Sequence, residues 1–199
     1  GQLFLVTFQG DRAPADSAIG DLILNYHVGG VALLAENDNL TGYGDPAQTP
    51  AQVRDLTANL QRLALLGFSE EPNPADEEGD IPPTAEPQPA AVPIPLLIAT
   101  SHDGDSLPQS NVMAGYTPLP NNMALGATWT PAYARRVGEI AGGELAATGI
   151  NLLLGPSLDV LERPSPLSAG DLGTNVFGGD PYWVGLMGRA YIEGVHAGA

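Results

Sequence analysis

The chain has 199 residues, enough for one domain or part of a larger one, and 43% of them are hydrophobic, enough for a buried core. It carries 23 acidic and only 7 basic residues, all of the latter arginines, for a formal net charge of −16. Such a surface repels phosphate backbones and anionic membranes, and no apolar run approaches the roughly 18–20 residues of a membrane span, so we expect neither nucleic-acid binding nor direct membrane insertion. The absence of cysteine excludes disulfides and thiolate metal sites.

The first third of the chain predicts two strand–helix units. Residues 3–8 are apolar with β-branched and aromatic side chains, typical of a buried strand, and residues 16–27 carry apolar side chains at helical spacing. Residues 31–35 predict a second strand. A helix is then expected to begin at Thr49 and Pro50, because proline is favoured in a first helical turn. Its apolar stripe consists of Val53, Leu56, Leu60, Leu63 and Ala64.

Residues 68–92 interrupt this pattern. The segment holds seven acidic residues and six prolines and has few large apolar side chains. Such a composition buries too little surface to offset the entropy lost on ordering. We therefore predict a disordered or extended surface insertion, and favour a solvated loop over a partner-binding segment.

The remainder predicts two further units. Residues 95–101 form a third apolar run, and a long loop follows to residue 130. Residues 130–149 indicate a helix, with a threonine cap, proline in the first turn and a C-terminal glycine. Residues 150–156 predict a fourth strand, and a last helix begins at Asp180 and runs to about residue 196.

Four β–α repeats with uniformly apolar strands indicate a parallel sheet covered on both faces. Both an open doubly wound sheet and a (β/α)₈ barrel fit. The stretch after the first strand has a single glycine, Gly10, which argues against a dinucleotide fingerprint. Long loops after strands two to four favour the barrel, which needs about 250 residues. This chain supplies about half of that length, and both α/β architectures stay open from these patterns alone.

Six segments, in order along the chain, carry a recognisable pattern. Together they resemble the N-terminal barrel domain of family 3 glycoside hydrolases, and most of all its β-N-acetylhexosaminidase branch. The segments are GQLFLVTF (1–8), YHVGGVALLAEN (26–37), PLLIATSHDGD (95–105), LPNNMALGAT (119–128), ELAATGINLLLGPSLDV (144–160) and NVFGGDP (175–181).

The resemblance implies a retaining glycosidase, in which two groups act on either side of the glycosidic bond. The family's Lys-His segment and its aspartate nucleophile lie beyond the point that Ala199 matches, so no catalytic residue is expected in this chain. For the fold, the resemblance implies an α/β architecture in which residues 1–199 are the first half of a (β/α)₈ TIM-type barrel and the remainder lies outside this chain. That other half is expected as a further piece of the polypeptide or as a separate chain. No cofactor and no metal are implied.

The resemblance implies that this half of the barrel supplies the groups that bind the sugar, and several of these groups differ from the family pattern. Ser101 stands where the family has a sugar-binding aspartate, and Asp103 where it has the glutamate of Glu-Gly-Gly, with Asp105 replacing the second glycine. Gln109 and Asn175 stand where the family has arginines. Each change at Ser101, Gln109 and Asn175 removes a charged hydrogen-bonding partner, which weakens binding. The surrounding frame is retained, including Pro120, Met123, Gly126, Phe177 and Pro181.

Other residues admit two interpretations each. His102 is a possible acid–base group or metal ligand, although a single loop histidine is more often structural. Asp159, at the end of the fourth strand, is a possible ligand contact or a turn cap. Ser101 with Asp103 and Asp105 offers oxygen ligands to a hard cation but lacks the calcium-loop pattern.

The aromatic pair Tyr182 and Trp183 suits either stacking on sugar or packing on a neighbouring helix. Gly142 and Gly143, inside a predicted helix, indicate close packing against another element.

Two functions of different class follow. The favoured one is a catalytically degenerate glycosidase domain, a pseudoenzyme that serves as a carbohydrate-binding or structural module of an extracytoplasmic protein or assembly. The alternative is an active exo-β-glycosidase of β-N-acetylhexosaminidase or β-glucosidase type, with its nucleophile in the other half of the barrel. Both expect a carbohydrate ligand.

Overall fold

The computed structural model of the chain describes most of its length. The described residues are 1–66, 94–105, 110–112, 114–163 and 173–199. The predicted insertion at 68–92 and the candidate Gln109 lie outside them.

Four strands form one parallel sheet within the described residues, and their order in the sheet is their order in the chain. In the register, Leu5 lies opposite Gly30, and Gly30 opposite Leu97. This arrangement confirms the four predicted βα units. The strands are β1 (Leu5–Val6), β2 (Gly30–Ala32), β3 (Leu97–Thr100) and β4 (Leu152–Leu153).

Five α-helices lie in the described part of the chain, and four of them match the predicted ones. Ser17 caps the first helix by accepting a hydrogen bond from the Gly20 amide, and Asp180 caps the last one. Thr130 precedes a helix as predicted, but its side chain makes no cap hydrogen bond; its hydroxyl donates to the Thr128 carbonyl instead. The helices are α1 (Ala18–Leu24), α2 (Thr49–Leu66), α3 (Asn122–Ala127), α4 (Pro131–Ala147) and α5 (Pro181–Gly198).

Two predicted loops contain more structure than their composition suggested. Short 3₁₀ turns occupy Ala35–Asn37, Gly42–Gly44 and Pro46–Gln48, and α3 lies within the stretch predicted as loop up to residue 130. These elements are too short to show a hydrophobic period. Asn121 caps α3 by accepting a hydrogen bond from the Ala124 amide. None of the helices in the described ranges has the length and apolarity needed to cross a bilayer.

The main core lies between the sheet and the first two helices. Val31 and Ile98 of the central strands are fully buried, together with Val53, Leu56 and Leu60 of the predicted α2 stripe. The opposite face of the sheet is open: the Cβ position of Gly30 faces Leu5 and Leu97, and both leucines are about half exposed.

The expectation of a buried first strand is therefore wrong for the described chain. Leu3 is 99% exposed and Phe4 is exposed as well. β1 is the edge of the sheet, and no described residue covers its open face. An apolar sequence identifies a strand that suits burial but does not say which element covers it.

A second core joins α4 to α5. A Cβ built on Gly142 would lie 2.3 Å from the Val195 carbonyl oxygen, and one on Gly138 would lie 2.2 Å from that of Tyr191. The two helix backbones thus approach closely, which confirms the packing predicted from the glycine pair. This contact fixes α5, whose preceding loop carries Asn175.

Candidate functional site

Polar residues follow the carboxyl ends of β3 and β4, where parallel strands end at one edge of the sheet. Thr100, the last residue of β3, is fully buried, and its hydroxyl donates to the Leu33 carbonyl at 3.0 Å. This bond holds β3 to the segment after β2. Ser101 and Asp103 therefore leave the sheet from a fixed point.

Ser101 is tied to the loop after β2. Its hydroxyl oxygen accepts a hydrogen bond from Asn111 Nδ2 at 2.6 Å, and its carbonyl accepts one from the Asn111 amide at 3.1 Å. Asn111 Oδ1 in turn accepts from the Ala35 amide at 2.8 Å. A neutral amide–hydroxyl pair thus occupies the position where the family resemblance calls for a carboxylate.

Asp103 is the buried carboxylate of the site, with 5% of its surface exposed. Asn122 Nδ2 donates to its Oδ1 at 3.2 Å, and the backbone amide of Ser157 donates to the same carboxylate. Burial raises the pKa of Asp103, and the two hydrogen bonds oppose that shift. Asp103 therefore binds protein groups from α3 and from the loop after β4.

Asn122 links this carboxylate to the loop that precedes α5. Its Nδ2 also lies 3.2 Å from the carbonyl oxygen and 3.4 Å from the Oδ1 of Asn175. The amide of Met123 donates to the Thr174 carbonyl at 3.1 Å, which joins the same two segments through the backbone. Asn122 is only 2% exposed, so its side-chain amide makes its hydrogen bonds to other groups of the protein.

The turn after Asp103 brings its neighbours against α3. Gly104 has φ +62°, and a Cβ there would lie 2.3 Å from the Pro120 carbonyl oxygen, so this position requires glycine. Asp105 Oδ1 accepts from Asn121 Nδ2 at 2.8 Å. Two adjacent asparagines thus hold two aspartates. Within the described residues no group of three His, Asp or Glu side chains could hold a metal ion.

His102 is placed apart from this network. It is 3% exposed, and its Nδ1 lies 3.1 Å from Ser110 Oγ. Burial lowers its pKa, while the carboxylate of Glu144 in α4 acts in the opposite direction. Nε2 has no hydrogen-bond partner among the described residues. Among the described residues, no hydrogen bond joins His102 to Asp103 or Asn175.

Tyr191 of α5 belongs to the buried surroundings of Asp103. The tyrosine is 2% exposed, and burial raises the pKa of its hydroxyl, with the charge of Asp103 adding to the shift. Sequence reasoning missed Tyr191 because it reads as one apolar position of a helix. It missed the role of Asn122 as well, although the close match of 119–128 to a family segment was the available signal.

The comparison with known families decides what this arrangement belongs to. Residues 81–198, more than half of the chain, match the glycosyl hydrolase family 3 N terminal domain. The chain belongs to glycosyl hydrolase family 3. The resemblance seen in the six segments is thereby confirmed.

Curated relatives place the family 3 domain in the hexosaminidase branch. It is 33% identical over 105 residues to a beta-N-acetylglucosaminidase/beta-glucosidase of Cellulomonas fimi, which covers 52% of this chain and 17% of that protein. It is 27% identical over 183 residues to beta-hexosaminidase A of Pseudoalteromonas piscicida, covering 90% of this chain and 24% of that one. The chain thus spans about a quarter or less of these two relatives.

Solved structures agree with the fold. A family 3 beta-N-acetylglucosaminidase from Paenibacillus sp. aligns with a TM-score of 0.73 and 30% identity, covering 100% of this chain and 30% of that one. NagZ from Neisseria gonorrhoeae, determined in complex with N-trifluoroacetyl-D-glucosamine, aligns with a TM-score of 0.68 and 22% identity over 98% of this chain and 47% of its own. The second likeness shows the fold alone, and both confirm the predicted α/β barrel-type architecture.

Within this family 3 domain, the structure connects three of the predicted site residues. Asp103 and Asn175 share Asn122, and Ser157, whose amide binds Asp103, also donates its hydroxyl to Asp159 Oδ2 at 3.1 Å. Asp159 is solvent-exposed. Asp159 therefore accepts a hydrogen bond within a local turn and is also open to solvent. The assignment of Asp103, Asn175 and Asp159 to sugar contacts stays a prediction.

Proposed function

We propose that this family 3 domain is catalytically degenerate and serves as a carbohydrate-binding or structural module of an extracytoplasmic protein. The observation that carries the proposal is Ser101, whose hydroxyl accepts from Asn111 where the family pattern has a sugar-binding aspartate. The activity of the whole protein is part of this proposal, because the chain covers only a share of each relative.

Hydrogen-bond energetics support weakened binding of sugar. A hydrogen bond to a charged group contributes about 1.5–3 kcal/mol, against about 0.5–1.5 kcal/mol for a neutral one. Ser101 and Asn175 both offer neutral groups, and both are engaged by the asparagines Asn111 and Asn122. The carboxylate that remains, Asp103, is buried under two protein donors. Each lost charge therefore costs roughly tenfold in transition-state stabilisation.

The partner that completes the barrel is proposed to cover the open face of the sheet. Leu5 and Leu97 lie on this face and are about half exposed. Parallel barrel strands are buried on both sides, so these leucines suit a covered interior. The covering half is proposed to be a further part of the same polypeptide or a second chain.

A specific observation also favours the second function, an active exo-β-glycosidase. Asn122 ties Asp103 to Asn175 at the edge of the sheet, so the polar groups of the candidate site are held together. The curated relatives bear the names beta-N-acetylglucosaminidase/beta-glucosidase and beta-hexosaminidase A. In an enzyme with this frame, Ser101 and Asn175 would select a different sugar.

Hydrolysis by the full-length protein separates the two functions. With nitrophenyl β-N-acetylglucosaminide and nitrophenyl β-glucoside, we expect no turnover above the uncatalysed rate. Clear turnover that disappears when the family's late aspartate is mutated would establish the enzyme and refute the degenerate module. The sequence after Ala199 gives an independent check, since the enzyme requires the Lys-His segment and that aspartate.

The extracytoplasmic placement is tested separately. Structural polysaccharides lie outside the cytoplasm, which is why a carbohydrate-binding module is proposed to act there. Immunodetection of the full-length protein in fractionated source cells is expected to find it outside the cytoplasm. Recovery in the cytoplasmic fraction alone would contradict the placement and leave the ligand class open.

A further inference from the structure

Both tryptophans of the chain lie in one exposed aromatic cluster. Trp129 and Trp183 meet edge to face, with ring centroids 5.1 Å apart and an interplanar angle of 83°. Tyr182 lies 5.9 Å from Trp183 at 75°. Trp183 is half-buried, whereas Trp129 is 59% and Tyr182 is 69% exposed. We call Trp129, Tyr182 and Trp183 the aromatic platform.

The platform lies at the same edge of the fold as the candidate site. Trp129 lies two residues before the start of α4, and Tyr182 and Trp183 lie in the first turn of α5. Helices that follow strands in a barrel begin at the carboxyl edge of the sheet. The segment 175–180 connects Asn175 of the site to Asp180, which caps α5 by accepting from the Tyr182 amide. Within this segment, the Phe177 backbone packs directly on Gly126 of α3.

Trp129 occupies a backbone conformation that disfavours it. Its φ is +52°, in the left-handed region where glycine is accommodated without strain. The position is held by a hydrogen bond from its amide to the Gly126 carbonyl at 3.1 Å. The backbone thus holds a large, mostly exposed ring in a fixed place at the protein surface.

We infer that the aromatic platform binds an uncharged oligosaccharide or polysaccharide chain, at a surface distinct from the Asp103–Asn175 site. Pyranose rings present flat C–H faces that stack on aromatic rings, and Trp and Tyr combine such a face with a polar edge that faces water. The inference shares with the proposed function only the class of ligand.

The charges around the platform favour a neutral ligand. Arg135 and Arg136, close behind Trp129 in α4, are both paired with Glu139, at 3.3 and 3.0 Å. The carboxylate of Asp180 beside Tyr182 accepts the amides of the first turn of α5. With a net charge of −16 over the chain, an anionic ligand would meet repulsion here. A neutral sugar chain meets no such penalty.

The test is binding of the full-length protein to insoluble chitin and cellulose, with chitopentaose as the soluble probe of tryptophan fluorescence. Trp129→Gly removes the ring at a position where glycine fits the backbone, and Tyr182→Ala keeps the amide that Asp180 caps. Each is expected to weaken binding by about tenfold. Tyr26→Ala, at a similarly exposed tyrosine outside the platform, is the control and should bind within about twofold of the parent protein.

Several results would overturn the inference. Absence of binding by the parent protein to either polymer or to chitopentaose would do so, as would undiminished binding by both platform variants. Loss of binding in Asn175→Ala alone would place the sugar in the site. A fall in melting temperature of both platform variants with unchanged binding would assign the rings to an interface within the protein. Hydrolysis of the nitrophenyl glycosides is scored separately, so neither outcome there decides the platform.

Discussion

Asn122 Nδ2 donates a hydrogen bond to Asp103 Oδ1 across 3.2 Å, and both side chains are buried. The same amide reaches Asn175, so one asparagine at the start of α3 connects two loops at the edge of the sheet. Removing one partner of a buried polar pair costs the desolvation of the other. Asn122 is therefore the residue on which the geometry of the candidate site depends most.

Replacing Asn122 by alanine should lower the free energy of unfolding by about 1–3 kcal/mol, because Asp103 loses a buried donor. Urea unfolding measures this change. Asn25→Ala is the matched control: Asn25 Nδ2 also donates to an aspartate, Asp21, but at the surface. The control should lose no more than about 0.5 kcal/mol. Equal losses in the two variants would mean that the buried network contributes nothing special.

Ser101→Asp should strengthen binding of N-acetylglucosamine or glucose by roughly tenfold, because a charged acceptor replaces a neutral hydroxyl. Isothermal titration calorimetry of the full-length protein measures the affinity. Ser101→Asn is the control of similar size without the charge. If both variants bind sugar like the parent protein, Ser101 does not stand in the sugar-binding position.

His102 should make the protein less stable in acid. Its pKa is lowered by burial in the folded state, so the unfolded chain takes up the proton first as the pH falls. Its contribution is present above the ordinary histidine pKa of about 6.5 and is lost as the pH falls through the folded value. The charge of Glu144 reduces this effect without reversing it.

The check is urea unfolding between about pH 7 and pH 5, the range in which histidine titrates. His102→Gln should show a smaller fall in the free energy of unfolding over this range than the parent protein. A parent-like slope in His102→Gln would contradict the prediction.

Gly142→Ala should destabilise the contact between α4 and α5 by about 1–3 kcal/mol, because its Cβ would lie 2.3 Å from the Val195 carbonyl oxygen. Thermal unfolding measures the effect. Gly185→Ala is the control, since nothing lies within 4 Å of a Cβ at that position of α5. There, alanine should be neutral or stabilise by up to about 1 kcal/mol. A neutral Gly142→Ala would show that the helices separate at little cost.

The substitutions fall into two groups that probe different parts of the molecule. Changes at Asn122 and Ser101 test the candidate site at the edge of the sheet. The change at Gly142 tests the packing of α4 against α5. If Gly142→Ala also altered sugar affinity, the packing of α5 would be coupled to the loop of Asn175. Independent effects are the expectation, because the altered groups share no contact partner.

By itself, the sequence determined the four βα units, the parallel sheet and the family. Apolar strands, helical spacing and the prolines at the starts of α4 and α5 are local signals, and each is legible within about a dozen residues. The six family segments likewise carry their pattern in short stretches. Their order along the chain sufficed for the barrel prediction.

Only the tertiary structure decided which side chains meet. Asn122 lies 19 residues from Asp103 and 53 from Asn175 along the chain, and no local pattern encodes those contacts. The same holds for the open face of β1, which has the composition of a buried strand. Burial and hydrogen bonding depend on what packs against a group, and that is a property of the folded chain rather than of any one segment.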